Sequence, residues 1–218
     1  MNFIIEKDNK SIKSKLSPFA PKIFKNFKPL GINFFSFYAG FKKKNNDLLI
    51  IVFKKEVNTH CIYSLTSTPS APIIWDKKHF KGKCKAVIIN SGNANAHTGK
   101  EGIKIIDQYV FALKEKLGCK KNQILVSSTG VIGEIFNPKF IINPIKVLEK
   151  SRPTDLLSAA KTIMTTDTYP KTSVKNIKIK NQNIKIYGFA KGSGMIQPNM
   201  GTMLVYIFIE CYLNNYQL

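Results

Sequence analysis

The stretch Lys85-Ala86-Val87-Ile88-Ile89-Asn90-Ser91-Gly92-Asn93-Ala94-Asn95-Ala96-His97-Thr98-Gly99 decides the fold class. Its first six residues form a short apolar run with Val87, Ile88 and Ile89 at its heart, the pattern of a strand buried on both faces. Nine small and turn-forming residues follow. Downstream, Ile106, Val110, Leu113 and Leu117 fall on one face at spacings of 4, 3 and 4, which predicts a helix over about Glu101 to Leu117 with Gly118 as its stop. Ile124 to Ser127 reads as the next strand and runs into Ser128-Thr129-Gly130-Val131-Ile132-Gly133. Strand, turn, helix and strand in this order predict a mixed α/β (α+β) layered fold.

On the N-terminal side, residues 1–30 carry Pro18, Pro21 and Pro29 and read as loop-rich. Leu48 to Phe53 and Cys61 to Leu65 read as strands, and the segment with Pro69, Ala71 and Pro72 as a loop. His60-Cys61 and Trp75 to His79 read as ordinary strand and loop residues. On the C-terminal side, Pro144 to Lys150 and Thr154 to Thr165 read as helices, the second started by Pro153 and Thr154. Asn176 to Lys180 and Asn183 to Ala190 alternate around Asn181-Gln182 as a β-hairpin. A glycine-rich turn, Lys191-Gly192-Ser193-Gly194, then leads towards a strand from Met203 to about Leu213.

Composition excludes several classes. The 218 residues are 44% hydrophobic, enough for a packed core, and no apolar run approaches the roughly 20 residues of a membrane helix. The first residues lack an apolar signal core, so a cytoplasmic protein without a membrane partner is expected. Basic residues outnumber acidic ones 34 to 13, a net charge of +21. All but one of them, Arg152, are lysine, whereas phosphate and base recognition favours arginine's planar fork. Lys, Asn and Ile together exceed a third of the chain, as A+T-biased coding produces. Runs such as Lys42-Lys43-Lys44 therefore read as solvated surface, and no nucleic-acid partner is expected. Cys61, Cys84, Cys119 and Cys211 form no CxxC pair, and the three histidines do not cluster, so neither metal nor cofactor is expected.

Each small-residue turn taken alone is a turn needing positive φ; taken functionally it is a set of N–H groups able to hold an oxyanion. Four blocks in order are more specific: Asn90 to Gly99; Ser128 to Gly133; Ile163-Met164-Thr165-Thr166-Asp167-Thr168-x-Pro170-Lys171; and Lys191-Gly192-Ser193-Gly194-Met195-Ile196-x-Pro198-Asn199-Met200-x-Thr202-Met203-Leu204. In these the sequence resembles the glutamate N-acetyltransferase family, also called ornithine acetyltransferase or ArgJ, of arginine biosynthesis. The resemblance implies an ArgJ/DmpA-like fold, incomplete in this chain, and a precursor that cuts itself before a threonine. That threonine then becomes the N-terminal nucleophile of a β chain.

Carried over residue by residue, the nucleophile is Thr202 and the cleaved bond Gly201–Thr202, with residues 1–201 as the α-chain-like region and 202–218 as the start of a truncated β chain. Thr129 and Gly130 match the oxyanion-stabilising pair, and Thr168 and Lys191, with Thr202, match substrate-binding positions. The implied reaction is ping-pong: Thr202 takes acetyl from N-acetylornithine, or in some members from acetyl-CoA, and passes it to glutamate. A free α-amine with a pKa of about 7.7–8.0 suits it to take the threonine hydroxyl proton. The sequence departs from the family at His97, usually Cys, and at Gly201, usually Ala. The implied assembly is an α2β2 heterotetramer, so a separate β-chain-like polypeptide is expected to complete the fold and, without it, an exposed sheet edge and poor solubility. Two other readings stand beside this one: a non-catalytic remnant and, disfavoured by the arginine poverty, a nucleic-acid binder.

Overall fold

The structure is a computed structural model describing residues 24, 26–179, 182–194, 203–213 and 217. A four-stranded sheet runs in the order β1 (Ile32–Phe37), β2 (Leu48–Asn58), β3 (Lys83–Asn93), β4 (Ile124–Val131). The β1/β2 and β2/β3 pairs are antiparallel and β3/β4 is parallel. The parallel pair needs a long crossover, supplied by α2 (Gly99–Leu117), which closes on Gly118 at φ 59°. The strand–turn–helix–strand expectation holds for this unit.

Both faces of this sheet are covered, which is why its strands read as unbroken apolar runs. Leu48, Ile50, Ala86, Ile88, Ile124 and Val126 point to one side. There they pack against α1 (Ala71–His79), α2 and α3 (Lys139–Lys146) through Trp75, Ile106, Tyr109, Leu113 and Ile145. Leu49, Ile51, Val87, Ile89 and Leu125 point to the other side, against α4 (Leu156–Thr162) and an antiparallel sheet of β5 (Lys171–Ile179), β6 (Gln182–Lys191) and β7 (Leu204–Ile209). Each fully buried aliphatic side chain contributes about 1.5–3 kcal/mol through removal from water. Phe34, Phe53, Tyr187 and Phe189 gather round Phe208 of β7 and join the two sheets.

Several expectations are corrected. The Pro69–Pro72 segment and Trp75 to His79 are not loop: Ala71–His79 is α1, with Pro72 in its first turn, where a missing N–H costs nothing. Cys61 to Leu65 is not a strand; Tyr63 and Ser64 turn inward and Ile62 and Leu65 outward, and none of the described strands pairs with them. The helix expected at Pro144 to Lys150 starts earlier, as α3, and its end is a 3-10 turn at Leu148–Lys150. The helix expected at Thr154 to Thr165 is the shorter α4, capped by Asp155, whose carboxylate accepts from the Ser158 N–H at 2.8 Å. The hairpin of Asn176 to Ala190 is present as β5 and β6, and all four cysteines are free thiols.

One polar group in this core has an unusual consequence. Asp76 of α1 is 4% exposed, and its carboxylate accepts from the Val126 N–H of β4 at 3.1 Å, closing a bond on the sheet's edge strand. Burial raises its pKa well above the usual carboxylate range, against the opposing pull of the Val126 bond. The folded chain thus holds this proton more tightly than the unfolded one. The stabilisation is complete below the unfolded pKa and is lost as pH rises towards the raised folded value. Asp76→Asn keeps an oxygen for Val126 without the charge. It is expected to flatten a stability decline of up to about 1.4 kcal/mol per pH unit across that window, read from urea midpoints between about pH 4 and pH 8. A variant less stable than the parent at every pH would refute the buried-charge argument.

Candidate functional site

The site is built where β3 and β4 end side by side. The small-residue blocks at Asn90 and Ser128, expected to be turns, instead continue their strands: Ser91 pairs with Thr129 and Gly92 with Gly130. A Cβ on Gly130, at φ +135°, would lie 2.2 Å from the Gly92 carbonyl carbon and 2.6 Å from the Asn93 nitrogen. Glycine is required here because two backbones touch. The side chains of the first block are bonded within the block and to the elements around it. Ser128 Oγ donates to Asn90 Oδ1 at 2.6 Å, Asn90 Nδ2 to the Asn93 carbonyl at 2.8 Å, and the Asn95 N–H to Asn93 Oδ1 at 2.7 Å. It is a scaffold that fixes the strand ends, and these side chains are not left free to hold an anion.

Against this end lies Lys191, the last residue of β6. Tyr187, Phe189 and Lys191 alternate on the inward face of the strand, so the lysine occupies a core position at 2% exposure. Its Nζ donates to Thr129 Oγ1 at 3.0 Å and to Thr165 Oγ1 at 2.7 Å. The second, third and fourth blocks therefore converge on one ammonium group. An ammonium has no acceptor, so both hydroxyls must accept from it. The Thr129 hydrogen is thereby directed away from Lys191, free to donate to an oxygen beside Gly130.

The charge is balanced by Asp167, whose side chain is fully buried 3.9 Å from Lys191 Nζ. Its carboxylate accepts from Lys171 Nζ at 2.5 Å and from the N–H groups of Gly192 at 2.8 Å and Thr165 at 3.3 Å. Burial would raise the Asp167 pKa, but Lys171 and the two N–H groups outweigh it and hold the carboxyl below its usual range. Burial lowers the Lys191 pKa; Asp167 opposes that shift and Lys171 adds to it.

Of the residues expected from sequence, Thr129, Gly130 and Lys191 are brought together. Thr168 stands on the exposed surface beside Asp167, in the connection between α4 and β5. Gly201 and Thr202 lie outside the described residues. Asp167 and Thr165 were contained in the third block but not singled out; a carboxylate and a hydroxyl two residues apart before a lysine-bearing strand was the signal available. Among the described residues no group of three or more His, Cys, Asp or Glu is placed to hold a metal. None of their helices is long and apolar enough to cross a membrane.

Comparison with known proteins returns one family. The profile of the ArgJ family matches residues 33–218. The arginine biosynthesis bifunctional protein ArgJ of Bradyrhizobium diazoefficiens is 38% identical over 201 residues, covering 90% of this chain and 49% of that protein. ArgJ of Bartonella henselae is 37% identical over 195 residues, covering 86% and 47% respectively. The chain thus spans about half the length of these curated relatives. Among solved structures, ArgJ from Bacillus halodurans superposes with a TM-score of 0.71 at 30% identity, over 80% of this chain and 92% of that one. The ornithine acetyltransferase of Mycobacterium tuberculosis, solved with ornithine, shares the fold at a TM-score of 0.66 and 24% identity, over 81% and 94% of the two chains.

Proposed function

Because the chain belongs to the ArgJ family of arginine biosynthesis, we propose that it is the N-terminal part of an acetyltransferase that moves acetyl from N-acetylornithine to glutamate through an acetyl-threonine at Thr202. The observation that carries this reading is the junction of Lys191, Thr129 and Thr165, which joins three of the four sequence blocks at one point. In it the Thr129 hydroxyl and the Gly130 N–H are the donors for the tetrahedral oxyanion. A donor already oriented before the reaction lowers the barrier without reorganisation. Lys191 supplies the positive charge beside it, suited to a substrate carboxylate, and Thr168 lies at the exposed rim of the same connection. Acetyl-CoA is an alternative donor in this reading.

Thr202 gains its base by cleavage of Gly201–Thr202: the hydroxyl attacks the Gly201 carbonyl, and the C–N bond breaks to leave an ester and a free α-amine. Water hydrolyses the ester to release the Gly201 carboxylate and restore the hydroxyl, and the α-amine then takes the hydroxyl proton in each acyl transfer. The division into residues 1–201 and 202–218 follows from the same step. Gly201 in place of alanine is the smaller, looser neighbour, and slower cleavage follows from that.

The remaining half of the fold is assigned to a β-chain-like polypeptide, giving an α2β2 assembly. Among the described residues β7 is an edge of the second sheet, and its outward side chains, Val205, Ile207 and Ile209, are 48%, 68% and 37% exposed. An apolar stripe on an edge strand is suited to cover by further sheet from that polypeptide. The test is co-expression with a polypeptide matching the second half of the relatives, followed by mass spectrometry and an acetyl-transfer assay. A new chain beginning at Thr202 and acetyl transfer are expected, and Thr202→Ala should abolish both, with activity reduced by at least about 10³-fold. An intact Gly201–Thr202 bond and no transfer in the complemented protein would favour the non-catalytic remnant instead.

A further inference from the structure

Lys42 belongs to the run that composition assigns to solvated surface. Lys43 and Lys44 are exposed, but Lys42 turns inward. Its Nζ donates to the carbonyls of Thr162 and Met164, both at 3.2 Å, at the C-terminal end of α4. A cation there meets the negative end of the helix and carbonyls with no intrahelical partner. The turn that carries it is itself pinned: Asp47, completely buried, accepts from the N–H groups of Ala39 at 2.6 Å, Gly40 at 3.1 Å and Lys42 at 2.9 Å. The same turn abuts the other wall of the site. A Cβ on Gly92 would sit 2.8 Å from the Phe41 carbonyl oxygen, and Gly92 is in turn the residue against which Gly130 packs.

We propose that Lys42, fixed by Asp47, is a positioning residue for the acyl-transfer site: it clamps the end of α4 so that Thr165 and Asp167 hold Lys191 against Thr129. The inference rests on the proposed function only in taking Lys191 and Thr129 as the working groups. One turn then buttresses both components of the site, Phe41 beneath the Gly92–Gly130 contact and Lys42 beneath the 163–167 connection. Lys42 and Lys191 repel one another, and burial together with that repulsion lowers the Lys42 pKa despite the opposing pull of Asp47. The two carbonyls are what keep the ammonium there.

The experiment compares Lys42→Met, Lys42→Arg and Lys42→Gln with Lys43→Met in the full chain. It reads amide exchange at Thr165 and Gly192, whose N–H groups both bond Asp167, and the rate at which acetic anhydride modifies Lys191. Lys42→Met is expected to speed exchange at both amides about tenfold and to change Lys191 labelling several-fold. Lys42→Arg, which keeps two donors, should stay near the parent, as should Lys43→Met. Lys42→Gln, with a shorter donor, falls between and decides the matter if the methionine variant does not fold. Parent-like exchange and labelling in both Lys42→Met and Lys42→Gln would overturn the proposal. These readouts need no turnover, so they stand if acetyl transfer is never found. If it is found, Lys42→Met should lower kcat about tenfold with KM little altered, and a change in KM alone would count against positioning.

Discussion

Gly130→Ala is expected to lower the stability of the chain by on the order of 3 kcal/mol or more, a fall of about 10 °C in Tm for a domain of this size. Two effects add. The added methyl would meet backbone on the neighbouring strand, at 2.2 Å from the Gly92 carbonyl carbon and 2.6 Å from the Asn93 nitrogen, and backbone in a parallel pair cannot rotate aside as a side chain can. Gly130 also sits at φ +135°, where any L side chain is strained. Gly133→Ala separates the two. Its φ is +86°, but nothing lies within 4 Å of the added Cβ, so it carries the strain without the collision. The prediction is a loss of about 1 kcal/mol for Gly133→Ala against the much larger loss for Gly130→Ala, measured by urea denaturation. Equal losses would mean that the β3/β4 contact is not the constraint. Because Gly92 is pressed between Phe41 and Gly130, the damage should also reach the turn anchored on Asp47.

That contact explains why the central unit was legible in sequence while its ends were misread. The run from Ala86 to Ile89 and the 4-3-4 spacing of α2 are local patterns, and local patterns survive folding. The small residues after them predict turns, since glycine and asparagine favour turns in isolation. Here Gly92 is small because Phe41 lies against it, and Gly130 is small because Gly92 on the neighbouring strand does. Cys61 to Leu65 shows the opposite failure. Its apolar residues suggest a strand, but hydrogen-bonded pairing needs a partner strand, and none of the described strands pairs with it. The two prolines flanking Ala71 concealed α1, because Pro72 falls in the one turn of a helix that tolerates it.

The site divides in the same manner. Lys191 was visible as part of a block and, in hindsight, as the third member of the Tyr187, Phe189, Lys191 alternation that points into the core. Lys42 was not visible, since its partners Thr162 and Met164 are 120 and 122 residues away and nothing in a run of three lysines says which one is buried. Asp167 lies between these cases. Its position in the third block was plain, but its role appears only when β6 brings Lys191 and Gly192 beside it. Charges are assigned by tertiary neighbours, so composition alone could not sort the lysines of this chain.

Asp167→Ala is the second large effect, expected to cost about 3–5 kcal/mol, the range for removing one partner of a buried ion pair. The loss leaves Lys191 buried without its counter-charge, frees the N–H groups of Gly192 and Thr165, and releases Lys171 from a 2.5 Å bond. The pH dependence distinguishes this from mere loss of packing. The Asp167 carboxyl is held below its usual range, so the folded chain binds that proton less tightly than the unfolded one. Its stabilisation is therefore complete above the unfolded pKa and drains away as pH falls through the folded value. The parent should lose stability along that acid limb, and Asp167→Ala should be flatter there, the two curves converging at low pH and standing furthest apart near neutrality. Asp167 also opposes the downward shift that burial imposes on Lys191. In the variant Lys191 should become more readily deprotonated, seen as faster modification by acetic anhydride at a given pH below its pKa. A variant whose acid limb parallels the parent's, with Lys191 labelling unchanged, would show that the lysine keeps its charge by other means.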